Sequence, residues 1–449
     1  MVDNLKLFTQ MPGKRVRRFT RETLWVLTGQ IGSAIAGLIA VKVLSNLLSQ
    51  AEYGKLALAN TLISFVMTNI FGPFGQGFMR FWSIGKDRGN LDVFYRISNR
   101  FIMYIGVFAV FAAVITSLFL FLTKHTEWAV VTLLSLVLGV ISGMIGMRTS
   151  IWNAMRQRRK IALVSIFDGF SKPLLAALFI FLMVGAVNVV LTAYLSGAFL
   201  IFFVVNRIYV KNTGVRLYGH PFVKNDNLLR NSLAKEIILY SWPFAVWAVF
   251  GWIHSFCDRW VLNALFGLEI VAGFAIVSQL ANYPLSFGSG FLCNLFTPIA
   301  FQRAGKLTDA SLVNSAVRIL KAMTAIYIMG LVVVIVFFSF FHRQLVLLVS
   351  NQAFAGYSYL LPGLTLVWGL FYLGQVLTVF GLLYNKSQVY IYPKIATSLI
   401  ALGGVFYFAS KAGIEGVVWG LGLANLVYAG WCVGIFVYLK NRKIAVSES

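Results

Sequence analysis

The chain has 449 residues, of which 59% are hydrophobic, 15% are aromatic and only 12% are charged. Soluble proteins carry about 25% charged residues, so this composition excludes a soluble globular protein and indicates an integral membrane protein. The net charge of +24 follows the predicted membrane loops, and it therefore argues against a nucleic-acid-binding protein as well.

Apolar runs of about 20 residues, the length that crosses a hydrocarbon layer of ~30 Å, recur almost from end to end. The alternation of apolar and polar residues that marks a membrane β-barrel is absent from the sequence, so we predict an all-α protein of about 12 transmembrane helices. The predicted spans are 23–48, 56–81, 97–123, 128–154, 161–185, 187–210, 237–265, 270–301, 313–341, 359–384, 389–410 and 414–439.

The distribution of lysine and arginine predicts the orientation, because cations are retained on the cytoplasmic side during insertion. If the N-terminus is cytoplasmic, most of the 38 cations fall in cytoplasmic segments. The opposite loops carry Lys55, Lys124, Arg343 and Lys411. The cytoplasmic cations include Lys6, Arg80, Arg156, Arg216, Lys224, Lys306, Lys386 and Lys394.

A polar, basic connector divides the predicted spans into two sets of six that share one orientation. We therefore expect two six-helix lobes related by a pseudo-two-fold axis along the membrane normal, with the substrate path between them. The first 22 residues lack the apolar core of a signal peptide and are expected to form a cytoplasmic tail. The predicted parts are a basic tail (1–22), an N-terminal lobe (23–211), a connector (212–236), a C-terminal lobe (237–440) and a second cytoplasmic tail (441–449).

Two segments of the lobes echo each other around a cation. The segment 42–54 places Asn46 four residues after Lys42, and the segment 259–273 places Asn263 four residues after Arg259; a Glu follows each cation by ten residues and a Gly closes each segment. A charge inside hydrocarbon costs about 2.5–3.5 kcal/mol on insertion scales, so it is expected to face a partner or a watery cavity. Snorkelling to the headgroups is the alternative for Lys42. The matched positions favour a positively charged lumen that attracts an anion such as pyrophosphate.

Further charged residues lie inside the predicted spans. Lys172 follows Asp168 by four residues on one helix face and directly precedes Pro173. The pair is either a local ion pair at a proline kink or a cation of the cavity with Asp168 as a proton or sodium site. Arg148 is either a snorkelling anchor or a lumen residue, and Asp258, beside Arg259, is the second candidate for ion coupling.

Glycine and proline interrupt the second span of each lobe. One interruption contains Gly72, Pro73 and Gly77, and the other contains Pro284. Such residues either break a helix where it lines a cavity or allow close helix packing. His254, one turn before Asp258, is more readily explained as a packing residue than as a titrating group.

The sequence contains no catalytic constellation. A phosphate-binding loop, zinc-ligand spacing and a nucleophile elbow are all absent, and the three cysteines fall inside apolar runs. We therefore expect no cofactor and no metal, apart from a coupling proton or sodium ion.

The residues LLSQAEYGKLALANTL, with GPFGQGFMRFW after them, resemble the Wzx-type O-antigen and exopolysaccharide flippases of the multidrug/oligosaccharidyl-lipid/polysaccharide (MOP) exporter superfamily. The start of the second half, ILYSWPFAVWAVFGWIHSFCDRWVLNALFGLEIVAGFAIVSQL, resembles the seventh and eighth helices of the same family. The resemblance covers most of the chain from about residue 24 to residue 439, through loose motifs.

This resemblance implies a bacterial inner-membrane transporter, with both termini cytoplasmic, that turns an undecaprenyl-pyrophosphate-linked sugar unit to the periplasmic leaflet by alternating access, driven by an ion gradient. Lys42, Arg259, Lys172 and Arg148 would then bind the headgroup, and polysaccharide polymerase and chain-length machinery would be partners. The rivals are a multidrug cation exporter, whose cavities would be acidic, and a membrane glycosyltransferase or polymerase, which would need a large outer loop. A scaffold or channel would leave the matched cations unexplained.

Overall fold

Every element that the structure describes is a helix, within residues 13–215, 227–305, 309–384 and 386–447 of this computed structural model. Lys6, Arg216, Lys224 and Lys306, predicted as cytoplasmic cations, lie outside the described residues. The long helices are α1 (Gly13–Leu47), α2 (Gln50–Phe65), α3 (Gly72–Asp87), α4 (Leu91–Leu122), α5 (Thr126–Ala154), α6 (Arg158–Leu182), α7 (Val187–Thr213), α8 (Asn227–Phe266), α9 (Leu268–Ala304), α10 (Ala310–Val349), α11 (Leu361–Leu383) and α12 (Ile391–Ser447).

Eleven helical segments of the described chain are long and apolar enough to cross a membrane. The last of them, Gln388–Leu439, contains non-helical backbone at Ala412 and Gly413, where the φ of Gly413 is +64°. Only glycine adopts this left-handed conformation without strain, so the sequence ends one helix and starts another there. When the last segment is divided at this break, the described chain has twelve candidate spans, which confirms the prediction of about 12. The predicted ends are within several residues of the observed ones.

The outer surface of the helices is strongly apolar. The side chains of Phe181 and Phe108 are 87% and 71% exposed, and Leu122 and Phe119 are exposed on the same scale. Leaving each such side chain in water instead of in an apolar environment costs about 1.5–3 kcal/mol. This surface is therefore suited to lipid, as expected of a multi-pass membrane protein.

The predicted interruption of the second span is a widened helical turn. A π-helical segment, Val66–Phe71, joins α2 to α3, and the backbone N–H of Gly72 bonds to the carbonyl of Met67. Pro73 follows in the first turn of α3, where its missing N–H does least damage. In the other half, α9 runs continuously through Pro284.

The chain divides into two compact units whose boundaries lie inside helices. The amino-terminal unit comprises the chain up to Ala40 and Leu62–Val246, and the carboxy-terminal unit comprises Val41–Thr61 and Trp247–Ser449. In the first unit α5 packs against α3, α4 and α7; in the second, α9 packs against α10 and α11, and α11 against α12. The segment 41–61 thus packs with the later half of the chain. The two six-helix lobes remain a prediction.

Candidate functional site

Lys42 is bound to the end of a helix in the carboxy-terminal unit. Its Nζ lies 2.9 Å from the carbonyl oxygen of Leu347 and 2.5 Å from that of Ser350. The last carbonyls of α10 have no partner within their own helix and carry the negative end of its dipole. The ammonium of Lys42 therefore caps α10, which gives its charge a partner that sequence spacing did not reveal.

The rest of the first echo segment docks at the same place. The side-chain amide of Asn351 donates to the carbonyl of Ser45, and the ring centroids of Tyr53 and Phe354 are 5.8 Å apart. A side chain on Gly54 would overlap the backbone carbonyl of Leu268. Leu268 belongs to the second echo segment (259–273), so the two echo segments contact each other within the carboxy-terminal unit.

Arg259 has different surroundings from Lys42. Its guanidinium carbon lies 5.0 Å from the centroid of the Phe256 ring, and its Nε has no hydrogen-bond partner. No carboxylate in the described part of the chain lies within ion-pair distance of this guanidinium. Arg259 thus forms no salt bridge among the described residues, and its charge is offset only by the electrostatic influence of the neighbouring carboxylate of Asp258.

The carboxylate of Asp258 is buried, and only one of its oxygens is hydrogen-bonded. One of its oxygens, Oδ1, accepts the backbone N–H of Arg259 at 2.8 Å. The other, Oδ2, has no partner, and the residue is only 1% exposed. A buried carboxylate oxygen without a donor is costly, so this group is suited to hold a proton or a cation.

Lys172 and Asp168 form the local pair that their spacing allowed. Their Nζ and Oδ2 atoms are 2.7 Å apart along α6, and both side chains are partly exposed. Pro173 lies inside this helix without ending it. The charge of Lys172 is thus compensated by its own helix.

Arg148 is enclosed by neighbouring helices of the amino-terminal unit. It has no exposed surface, and its guanidinium donates to the Oδ1 atoms of Asn99 on α4 and, at 3.2 Å, of Asn206 on α7. The guanidinium carbon lies 3.8 Å from the centroid of the Tyr209 ring. A side chain with no exposed surface does not snorkel, and these contacts describe packing between α4, α5 and α7. Binding of a substrate by Arg148 remains a prediction.

Gly77, which was predicted to belong to a helix break, lies where two helices pack closely together. A side chain on Gly77 would meet the side chains of Ser241 and Ile237 in the amino-terminal unit. In the same way, a side chain on Gly143 of α5 would enter the ring of Phe71. These glycines allow close helix contacts. A role of Gly72, Pro73, Gly77 and Pro284 in lining a cavity remains a prediction.

Sequence reasoning missed the burial of Lys394. It was predicted as a cytoplasmic loop cation, and this was wrong: the residue lies in the first turn of α12 and is 4% exposed. The predicted span 389–410 already contains this lysine, which was the available signal. Its partners come from α8, α11 and the later part of α12, far away in sequence.

A comparison with known protein families assigns the chain to one of them. A profile described as "Polysaccharide biosynthesis protein" matches residues 19–302, more than half of the chain. No curated protein matches the chain.

Several solved structures share the fold. An inward-facing multidrug resistance MATE family transporter of the MOP superfamily is 15% identical, with a TM-score of 0.72, and the match covers 95% of this chain and 99% of that one. An outward-facing MATE family transporter is 16% identical, with a TM-score of 0.66 and 96% of each chain covered. A MOP superfamily transporter from Pyrococcus furiosus is 15% identical, with a TM-score of 0.60, covering 94% of this chain and 96% of that one.

The family match and the shared helical fold agree with the resemblance carried by the residues around Gly54, Gly72 and Arg259. The fold prediction is also confirmed, since the described residues form the long apolar helices of a MOP transporter. The chain is therefore a multi-pass membrane protein with the fold of MOP superfamily transporters, and it belongs to the polysaccharide biosynthesis protein family.

Proposed function

We propose that this transporter moves an undecaprenyl-pyrophosphate-linked oligosaccharide from the cytoplasmic to the periplasmic leaflet of a bacterial inner membrane by alternating access. Both termini would be cytoplasmic, and a polysaccharide polymerase with its chain-length machinery would receive the product. The observation that carries the proposal is the guanidinium of Arg259, which lies in an apolar span without a carboxylate partner among the described residues.

Pyrophosphate is the part of such a substrate that needs a cation. Guanidinium groups bind phosphate oxygens through two parallel hydrogen bonds, and this contact strengthens in a medium of low dielectric constant. Of the four predicted cations, Lys172 is paired, Lys42 caps a helix and Arg148 is enclosed by amides and an aromatic ring. Arg259 is therefore the best placed to take the charge of the headgroup, while the lipid tail stays in the bilayer.

The same charge argues against export of cationic drugs. A guanidinium without a salt bridge repels a cation, and of the three buried charged side chains among the described residues two, Arg148 and Lys394, are basic and one, Asp258, is acidic. The Pyrococcus furiosus transporter offers a parallel, since the polarity of its binding pocket is there taken to suggest a different function. A glycosyltransferase is disfavoured because short connections, such as residues 183–186, follow the helices.

Replacing Arg259 with alanine should impair flipping while leaving the protein folded. Each hydrogen bond to a charged group is worth about 1.5–3 kcal/mol, so we expect a roughly 10- to 100-fold loss of affinity for a pyrophosphate-linked lipid. The measurement is transfer of a labelled lipid-linked oligosaccharide across proteoliposomes that contain the purified variant.

The matched control is Arg343→Ala, which removes an exposed arginine from α10. It should transport as the unchanged protein does. Equal rates for the Arg259 variant and this control would refute the binding role of Arg259. Export of organic cations without transfer of the pyrophosphate-linked lipid by the unchanged protein would favour the multidrug exporter.

The coupling ion is expected to bind Asp258 in preference to Asp168. Asp258 has a free, buried oxygen, whereas Asp168 is engaged by Lys172. Asp258→Asn should therefore reduce gradient-driven flipping at least about tenfold, equivalent to about 1.4 kcal/mol, without reducing exchange in the absence of a gradient. Asp168→Asn is the comparison. If only that variant lost its dependence on a proton or sodium gradient, the assignment to Asp258 would be wrong.

A further inference from the structure

The buried ammonium of Lys394 lies over aromatic rings. Its Nζ is 4.3 Å from the ring centroid of Phe371 on α11 and 5.1 Å from that of Tyr428 on α12. No carboxylate in the described part of the chain lies within ion-pair distance of this nitrogen. The aliphatic stem of the lysine passes Gly251 of α8, where an added side-chain carbon would lie 3.8 Å from Cε. The charge is thus held mainly by ring faces.

Neighbouring rings fix the position of Phe371. The imidazole of His254 stacks on it with centroids 5.2 Å apart, and the ring of Tyr428 stacks at 6.0 Å. Trp368 meets it edge-on at 5.8 Å. We call Phe371 and Tyr428, the two rings that face the ammonium, the aromatic cage. Ring faces carry negative electrostatic potential, and arrangements of this kind bind lysine-like and methylated ammonium groups.

Hydrogen bonds hold the cage rigid without adding negative charge. The side-chain amide of Gln375 donates to the hydroxyl of Tyr428 at 3.1 Å, and the indole of Trp368 donates to Ser278 at 3.0 Å. The amide nitrogen of Asn425 donates to the carbonyl of Val367, which leaves its oxygen to accept from Nε2 of His254 at 2.7 Å. These hydrogen-bonding groups are all uncharged, and the thiol of Cys432 also lies near the ammonium. The described residues around the ammonium therefore provide ring faces and neutral groups, but no carboxylate.

We propose that the carboxy-terminal unit contains an organic-cation site that is occupied by the chain's own Lys394. The ligand class of this site is a small primary or methylated ammonium ion. The site does not depend on the substrate proposed above, since it uses other residues and a ligand of opposite charge. In the unchanged protein the tethered ammonium blocks entry of a free cation, and shortening Lys394 opens the cage.

Lys394→Ala in the full-length protein should bind methylammonium, and the unchanged protein should not. A ligand of two heavy atoms is limited to a dissociation constant of roughly 5 mM or weaker, so the titration runs to about 100 mM. Methylammonium chloride is added at neutral pH, where it is a cation, with sodium chloride at equal ionic strength and methanol as controls. The readouts are saturable heat in calorimetry and a rise in the unfolding temperature.

Three matched variants separate the cage from general effects of the salt. Lys394→Met fills the space without a charge and should not bind methylammonium. Lys411→Ala removes an exposed lysine and should behave as the unchanged protein. Adding Phe371→Leu to Lys394→Ala removes a ring face and should weaken binding at least about fivefold.

Equal stabilisation of the unchanged protein and the alanine variant, or an equal effect of methanol or sodium chloride, would overturn the proposal. If Lys394→Ala does not fold, it is produced in cells grown with methylammonium, and Lys394→Val, which leaves a smaller vacancy, is titrated beside it. Recovery of folded alanine variant only with methylammonium supports an occupied cation site. Failure of methylammonium both to restore the alanine variant and to bind the valine variant refutes it.

Discussion

Replacing Arg148 with alanine should lower the free energy of unfolding by about 3–5 kcal/mol, the largest stability change that we expect from a single charged residue. The guanidinium donates to the amide oxygens of Asn99 and Asn206 and lies 3.8 Å from the Tyr209 ring centroid. Alanine removes both hydrogen bonds, each worth about 1.5–3 kcal/mol because the donor is charged, and it opens a cavity against the ring. The change is measured by chemical or thermal unfolding of the purified protein in detergent.

A series at this position separates the lost hydrogen bonds from the lost volume. Arg148→Met keeps the length of the side chain and removes the donors, so it should be less destabilising than alanine. Arg148→Lys keeps the charge but cannot present a fork to two amides, so it should lie between the two. Arg343→Ala, at an exposed site, should change stability by less than about 0.5 kcal/mol. A stability of Arg148→Ala equal to this control would contradict the packing role.

The positions of the helices could be predicted because they depend on local features. The length of each apolar run sets the length of each span, and the sequence signals the end of a helix at Gly413 because glycine alone adopts that backbone conformation readily. The compact units could not be predicted in this way. Their boundaries depend on which helices the segment 41–61 contacts, and these contacts lie about 300 residues away along the chain.

The candidate site was predictable only in part. The spacing of Asp168 and Lys172 specifies their contact, since residues four apart share one face of a helix. Lys42 and Arg259 occupy matching positions in the two echo segments, but Lys42 caps a helix, whereas Arg259 forms no salt bridge among the described residues. The burial of Lys394 depends on Phe371 and Tyr428, which periodicity within one helix does not reveal.

Substitution of Gly54 by valine should destabilise the carboxy-terminal unit and reduce transport at least about tenfold, because overpacking a close contact costs about 1–3 kcal/mol or more. Gly54 has a helical backbone, so its importance lies in the close approach and not in a special conformation. A side-chain carbon there would overlap the carbonyl of Leu268 and lie 3.1 Å from its Cα. Since the obstacle is backbone, it cannot rotate away as a side chain would.

The matched control for Gly54 is Gly288→Ala. Gly288 lies inside α9, and apart from the neighbouring backbone of that helix no described atom lies within 4 Å of an added side-chain carbon. Alanine is favoured over glycine inside a helix by about 0.5–1 kcal/mol, so this variant should be neutral or slightly more stable. If Gly54→Ala and Gly288→Ala had the same unfolding temperature, the contact with Leu268 would not be limiting.

Docking of the segment 41–61 as one piece predicts that changes at Gly54 and Lys42 are not additive. Lys42 reaches the carbonyls of Leu347 and Ser350 only while the segment is seated. Displacing the segment with Gly54→Val already breaks this cap, so adding Lys42→Met should cost much less than it does alone. Independent sites would instead add within about 0.3–0.5 kcal/mol, and a double-mutant cycle of unfolding free energies distinguishes the two cases. Because both residues belong to one echo segment, a large coupling would identify that segment as a single structural element of the carboxy-terminal unit.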